Sequence, residues 1–143
     1  MIDDPRDANI ALENAALRLS WRGGRLAALN RVSGREHNLD FPAFALQLRG
    51  ERLGGEDFTL AAVEATDREA RFDLRHEGAG IEATVRYWIE GDEPWFRKQL
   101  TLRAPEGTPT PDRVWVDVQT DPPRPIRRVG YGLRGGPDAE EQT

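Results

Sequence analysis

The sequence predicts an all-β domain, an antiparallel β-sandwich of supersandwich-like build with little or no helix. Three observations carry this. The dominant period of apolar residues is two, the spacing at which alternate side chains reach one face of a strand. Turn formers bound the alternating runs at short intervals: Gly23-Gly24, Ser33-Gly34, Gly54-Gly55, Gly78-Ala79-Gly80 and Gly91 to Pro94. Six prolines between Ala104 and Pro125 then interrupt the pattern, as expected for loops or edge segments, because proline lacks the N–H that a central ladder needs.

In chain order, the alanines of "DDPRDANIALENAALRL" favour a helix on propensity alone, but Asn14 breaks the apolar period. A strand–turn–strand across Glu13-Asn14 is therefore predicted. "ALRLSW" places Leu17, Leu19 and Trp21 on one side, with Arg18 and Ser20 on the other. "RFDLRH" sets Phe72 and Leu74 against Arg71, Asp73 and Arg75. "IEATVRYWI" alternates Ile81, Ala83, Val85, Tyr87 and Ile89 with Glu82, Thr84, Arg86 and Trp88, and "FRKQLTL" and "VWVDV" continue the pattern. The domain is expected over residues 8–132, after a flexible N-terminus at 1–7 and before a disordered tail at 133–143. "PPRP", within "TDPPRPIRR", reads as a rigid connector in preference to a polyproline ligand.

Composition narrows the function classes. At 143 residues the chain is one domain by size. It has no cysteine, which removes disulfides and thiolate chemistry and fits a reducing, cytoplasmic compartment. No basic-then-apolar leader opens the chain, and no run approaches the length of a membrane span, so neither a signal peptide nor a membrane partner is expected. The net charge is −5, and the 19 arginines alternate with acids as in "EATDREARFDLRHEGAG". Phosphate binding wants clustered positive charge, so no nucleic-acid partner is expected.

Catalytic motifs fail on inspection. "GYGLRG", Gly130 to Gly135, matches a dinucleotide fingerprint in spacing, but Pro137 follows where a helix is required. His37 and His76 are the only histidines and lie far apart in sequence, so no metal site is predicted. Ser20 falls mid-strand and Ser33 in a turn, without the sharp elbow of a serine nucleophile. No spacing singles out one pair among the 25 acids. The sequence assigns no catalytic residue and no cofactor.

The strongest functional lead is the hairpin "VRYWIEGDEPWFRKQLTLR", Val85 to Arg103. A four-residue loop at Gly91 to Pro94 would oppose Glu90 to Trp95, Trp88 to Arg97, Arg86 to Gln99, Thr84 to Thr101 and Glu82 to Arg103 on one face. Ile89/Phe96, Tyr87/Lys98, Val85/Leu100 and Ala83/Leu102 would then form the core face. The polar face thus bears two tryptophans, with Arg97 expected to stack on Trp88. "RVWVDVQ" repeats the arrangement, sending Val114, Val116 and Val118 one way and Trp115, Asp117 and Gln119 the other. Trp88, Trp95, Arg97, Trp115, Asp117, Gln99 and Arg86 are therefore the candidate site. Flat rings flanked by polar groups suit a sugar, whose C–H face stacks while its hydroxyls are bonded. The same surface also suits a covering domain or a second subunit. Lys98, the single lysine, falls on the core face beside Tyr87, where a structural role is expected, snorkelling to the sheet rim or neutralising a buried acid.

"IALENAALRLSWRGGRLAALNRVSGREHNL", with its strand, "EN", second strand, Gly-containing turn and "SGRE", combines with "YWIEGDEPWFRKQLTL" to give a recognisable cadence. It resembles the N-terminal β-supersandwich (galactose-mutarotase-like) domain of glycoside hydrolases, including α-galactosidase relatives, over Ile10 to Gly132. The resemblance implies a carbohydrate-processing parent whose catalytic carboxylates lie in a following (β/α)₈ barrel, and the chain is shorter than the full domain of that family. It implies a non-catalytic module whose partner is carbohydrate, a neighbouring catalytic domain or, as a homodimer, a second copy. Aldose epimerases share the fold and use His and Glu, which keeps a mutarotase-like enzyme as the alternative, alongside a protein–protein assembly domain. Neither His37 nor His76 sits in a matching motif.

Overall fold

A computed structural model describes residues 9–120, 129–131 and 140–142. The regular secondary structure of the described residues is almost wholly antiparallel strand. The first sheet contains β1 (Ile10–Glu13), β2 (Leu17–Arg22), β3 (Arg25–Asn30) and β4 (Glu36–Leu39), in that order. After it come β5 (Ala45–Leu48) and β6 (Glu51–Gly54), then a single 3₁₀ turn at Gly55–Asp57, the one helical element among the described residues. The second sheet is formed by β7 (Thr59–Ala65), β8 (Glu69–His76), β9 (Ile81–Trp88) and β10 (Arg97–Arg103), again paired in sequence order. β11 (Arg113–Trp115) returns to flank β5, giving a third sheet β11-β5-β6. β12 (Val129–Tyr131) and β13 (Glu140–Gln142) pair with each other as a two-stranded sheet.

Local chemistry explains the connections. Gly23 and Gly24 both take positive φ, 59° and 78°, between the closing pair Arg22 and Arg25. Two left-handed residues in a two-residue loop match the twist of a hairpin, and glycine adopts them without strain. The β5–β6 hairpin uses the same device at Arg49 and Gly50, with φ of 48° and 80°. Arg49 hides this turn in the sequence, because a non-glycine in that conformation is uncommon. In the predicted β1–β2 turn, Asn14 Oδ1 accepts from the backbone N–H of Ala16 at 2.8 Å and Leu17 at 2.7 Å. An asparagine side chain standing in for backbone in this way ends a strand and does not extend a helix.

The three sheets enclose one core. β1 to β3 contribute Leu12, Leu17, Leu19, Trp21, Leu26 and Ala28, whereas β8 and β9 contribute Ala70, Phe72, Leu74, Ile81, Ala83, Val85 and Tyr87. Phe44, Leu46 and Leu53 close it from the third sheet. Trp21 sits among the rings of Phe72 and Tyr87 at centroid distances of 5.2 and 5.1 Å, and Phe41 joins at 4.6 Å from Phe72. Burying each such large apolar side chain contributes about 1.5–3 kcal/mol, so these rings and leucines dominate stability.

The expected register of the long hairpin holds. Trp88 pairs with Arg97, Tyr87 with Lys98, Arg86 with Gln99, Val85 with Leu100, Thr84 with Thr101, Ala83 with Leu102 and Glu82 with Arg103. One detail differs. The ladder stops at Trp88 and Arg97, so residues 89–96 form a longer connection, and Trp95 stands on a loop. The Ile89 N–H turns to the Arg68 carbonyl at 3.1 Å, and Pro94 has no N–H to give, which leaves nothing to continue the pairing. β11 is also shorter than the run from Arg113 to Gln119: it ends at Trp115, and the N–H of Val118 goes to the Ala43 carbonyl at 3.0 Å. Residues 1–7, most of 120–128 and most of 133–143 lie outside the described residues. Within the segment expected to be a disordered tail, Glu140–Gln142 are the exception and form β13.

Candidate functional site

The seven residues singled out in the sequence fall into two places. Arg86 and Trp88 on β9, Arg97 and Gln99 on β10, and Trp95 on the loop between them lie together at one end and along the outer face of the second sheet. Trp115 and Asp117 do not join them. Trp115 stands half-buried opposite Ala45 on β5, and Asp117 is bonded to Lys98, whose side chain leaves the opposite, core-facing side of the hairpin.

On the outer face the charged groups are already engaged with one another. The guanidinium of Arg86, not that of Arg97, lies over the Trp88 ring, 4.0 Å from its centroid. Arg86 is the same-face neighbour two residues earlier, and its Nε donates to Glu69 Oε1 at 2.8 Å, which fixes it there. Arg97 is instead drawn to the loop acids Glu90 and Glu93, each at 3.5 Å. The Trp88 Nε1–H donates to Glu90 Oε1 at 3.1 Å. Trp88 thus has one ring face and its N–H committed. Trp95, midway in sequence between Glu93 and Arg97, is the available ring, 52% exposed.

The loop carrying Trp95 is tied to its neighbours through Asn14, the buried polar residue of the described core, only 5% exposed. Asn14 Nδ2 donates to the Glu93 carbonyl at 2.9 Å, and the adjacent Ala15 N–H donates to Asp92 Oδ1 at 3.2 Å. Arg31 Nη1 donates to the Asn14 carbonyl at 2.6 Å, and its backbone N–H to the Ala16 carbonyl at 2.9 Å. From the other side Arg68 Nη1 donates to the Gly91 carbonyl at 2.8 Å. Four connections, at residues 14–16, 31–35, 66–68 and 89–96, therefore interlock at one end of the sandwich. The two large apolar side chains most exposed among the described residues, Trp95 and Val32 at 81%, both project from this end. Sequence reasoning found Trp95 but not Val32. The available signal was a β-branched apolar residue inside the turn "NRVSG", whose tight form is set by Asn30 Oδ1 accepting from the N–H groups of Val32 and Ser33.

The inner side of the same hairpin carries a different polar cluster. The Lys98 side chain is only 8% exposed, and its ammonium donates to the carbonyls of Pro42 at 3.3 Å and Ala43 at 2.7 Å and to Asp117 Oδ1 at 2.6 Å. An ammonium has three N–H donors, so all are spent. Burial pulls the Lys98 pKa below its usual value, against the opposing pull of the Asp117 carboxylate. Burial, and then the Asp117 charge, hold the Tyr87 hydroxyl well above the ordinary range. Segment 117–120 is strapped to residues 40–43 by further bonds: the Asp40 N–H to Gln119 Oε1 at 2.6 Å, and the Thr120 N–H and Oγ1 to Asp40 Oδ2 at 2.6 and 2.7 Å. The backbone and side-chain hydrogen bonds from Thr120 lower the Asp40 pKa in spite of some burial. The Lys98 ammonium, the Gln119 amide and the Thr120 hydroxyl each have a partner in this strap, and the acid that Lys98 pairs with, Asp117, is 40% exposed where a buried one was expected.

The histidines are placed apart. His76 Nδ1 accepts from the Ala79 N–H at 3.0 Å and the ring packs edge-on against Phe58, 5.3 Å between centroids. His37 lies half-buried on the edge strand β4, opposite Ala28. Among the described residues neither pairs with a carboxylate, and no group of three or more His, Cys, Asp or Glu is gathered that would hold a metal ion. No helix of the described residues is long and apolar enough to cross a membrane. No protein-family model, curated protein or solved structure matches the chain.

Proposed function

We propose that this chain is a non-catalytic β-sandwich module of a carbohydrate-active enzyme, contacting sugar through the loop end that carries Trp95. The observation that carries the reading is the half-exposed Trp95 ring on the loop whose acids, Glu90 and Glu93, pair with Arg97. A flat apolar ring with charged groups on the same loop can stack on a sugar's C–H face while those groups bond its hydroxyls. The carbohydrate-active parent, a glycoside hydrolase, rests on the sequence resemblance of Ile10 to Gly132. A second reading, docking of this end on the neighbouring catalytic domain or a second copy, is favoured by Val32, because an aliphatic group open to solvent matches a protein surface better than a sugar.

The enzymatic alternative makes a separate demand, which polarimetry tests. If the chain is a module, mutarotation of fresh α-D-galactose and α-D-glucose proceeds at the buffer rate in its presence. A stoichiometric acceleration lost in His37→Ala or His76→Ala would overturn the non-catalytic assignment.

A further inference from the structure

We infer that the outer edge of β10 is a docking site for an extended polypeptide segment, which adds as a fifth strand to the second sheet. β10 is the last strand on its side, and no strand among the described residues pairs with its outer edge. A seven-residue strand in that position presents a row of unpaired N–H and C=O groups, the template for strand addition. The opposite edge of the same sheet is treated differently. β7 carries a bulge between Leu60 and Ala62, which kinks the strand and spoils a regular ladder, whereas β10 pairs with β9 in unbroken register.

Two further features state what the segment must be. On the core side of β10, Leu100 and Leu102 are only partly covered, unlike their buried cross-strand partners Val85 and Ala83. Beyond Leu102 opens an apolar cleft of about 120 Å³, bounded by Leu46, Leu48, Ile81, Pro109 and Pro111. Alternate side chains of an added strand would face this cleft, and it accepts one aliphatic group, not a drug-sized ligand. On the outer side the strand presents Arg97, Gln99, Thr101 and Arg103, all exposed. Of the three β10 cations, Lys98 is spent on Asp117 and two carbonyls and Arg97 pairs with Glu90 and Glu93, so Arg103 is the one with no carboxylate partner among the described residues. An added copy of β10 itself would oppose arginine to arginine when aligned antiparallel about Leu100, which disfavours a second copy. The fitting partner alternates aliphatic residues with polar ones and places an acid opposite Arg103.

The probe is a labelled, end-capped peptide, Glu-Val-Thr-Val-Thr-Val-Glu, titrated against the full chain by fluorescence anisotropy. Saturable binding is expected, with amide protection gained over 97–103 in hydrogen exchange. Two changes should each weaken it by about tenfold or more, Arg103→Glu in the protein and proline at the central valine of the peptide. The charge-reversed peptide with lysine ends should prefer the Arg103→Glu protein. Absence of saturable binding, equal binding of the proline peptide, or protection appearing on another strand instead would overturn the inference. Unfolding of each variant in urea separates a lost site from a lost fold. A null result here leaves the Trp95 reading untouched, since Trp95 stands on the loop before β10 and Arg103 at the far end of the strand.

Discussion

The two faces of the β9–β10 hairpin solve the same problem, placing cations on a sheet, in opposite ways. On the outer face Arg86 pairs with Glu69 and Arg97 with Glu90 and Glu93, all in reach of water, the arginine side chains 37% and 44% exposed. On the inner face the single lysine is taken out of water, and every donor is matched to an acceptor held by a different segment. An exposed pair gains little, because water already solvates both partners. A buried ammonium must be fully satisfied or the fold suffers. The compact ammonium also explains why this one site uses lysine in a chain otherwise supplied with arginine. Two carbonyls and a carboxylate converge on a point, a geometry that three tetrahedral donors fit and a planar fork does not. The outer face is thus left adaptable for contact, and the inner face fixes the strap that closes the core.

That contrast can be broken by mutation, and the largest effect is expected inside. Asp117→Ala leaves the Lys98 ammonium buried with two carbonyls and no counter-charge. It should lower unfolding free energy in urea by about 2–3 kcal/mol, the low end for a stripped buried charge because Asp117 itself partly meets water. Asn14→Ala removes the tie between the loops at the Trp95 end and should cost about 2 kcal/mol. Its signature would be faster hydrogen exchange across 89–96 as well as a lower midpoint.

Smaller effects sharpen the comparison. Tyr87 Oη has no hydrogen-bond partner among the described residues although the residue is 1% exposed. Tyr87→Phe removes that unmet group and should raise stability by about 1 kcal/mol, read as a higher thermal midpoint. Arg86→Ala on the outer face should change stability by less than about 0.5 kcal/mol, although it uncovers one face of Trp88. A loss from Arg86→Ala as large as that from Asp117→Ala would erase the distinction between the faces.

Much of this arrangement was legible in the sequence where alternation is strong. The pairings from Glu82/Arg103 to Trp88/Arg97 follow from period two once the turn is placed, and a single fixed register then sorts every side chain to a face. The β1–β2 turn was readable because Asn14 breaks the period. Failures cluster where strands stop. Alternation through "RVWVDVQ" put Trp115 and Asp117 with the hairpin tryptophans, but β11 ends at Trp115, and after that point side-chain direction is set by hydrogen bonds to residues 40–43. Those partners are about 80 residues away, beyond the reach of local pattern. Arg97 was likewise assigned to Trp88 by directly opposed pairing, while the loop acids Glu90 and Glu93 capture it.

The central claim is that Trp95 is the working ring of the outer end. Its most direct test is tryptophan fluorescence of the chain titrated with galactose, glucose and short α-linked oligosaccharides, repeated on Trp95→Ala. The account predicts a saturable shift with at least one sugar, absent in Trp95→Ala although that variant stays folded. No shift with any of these sugars in the folded wild-type chain, or the same shift in Trp95→Ala, would contradict it.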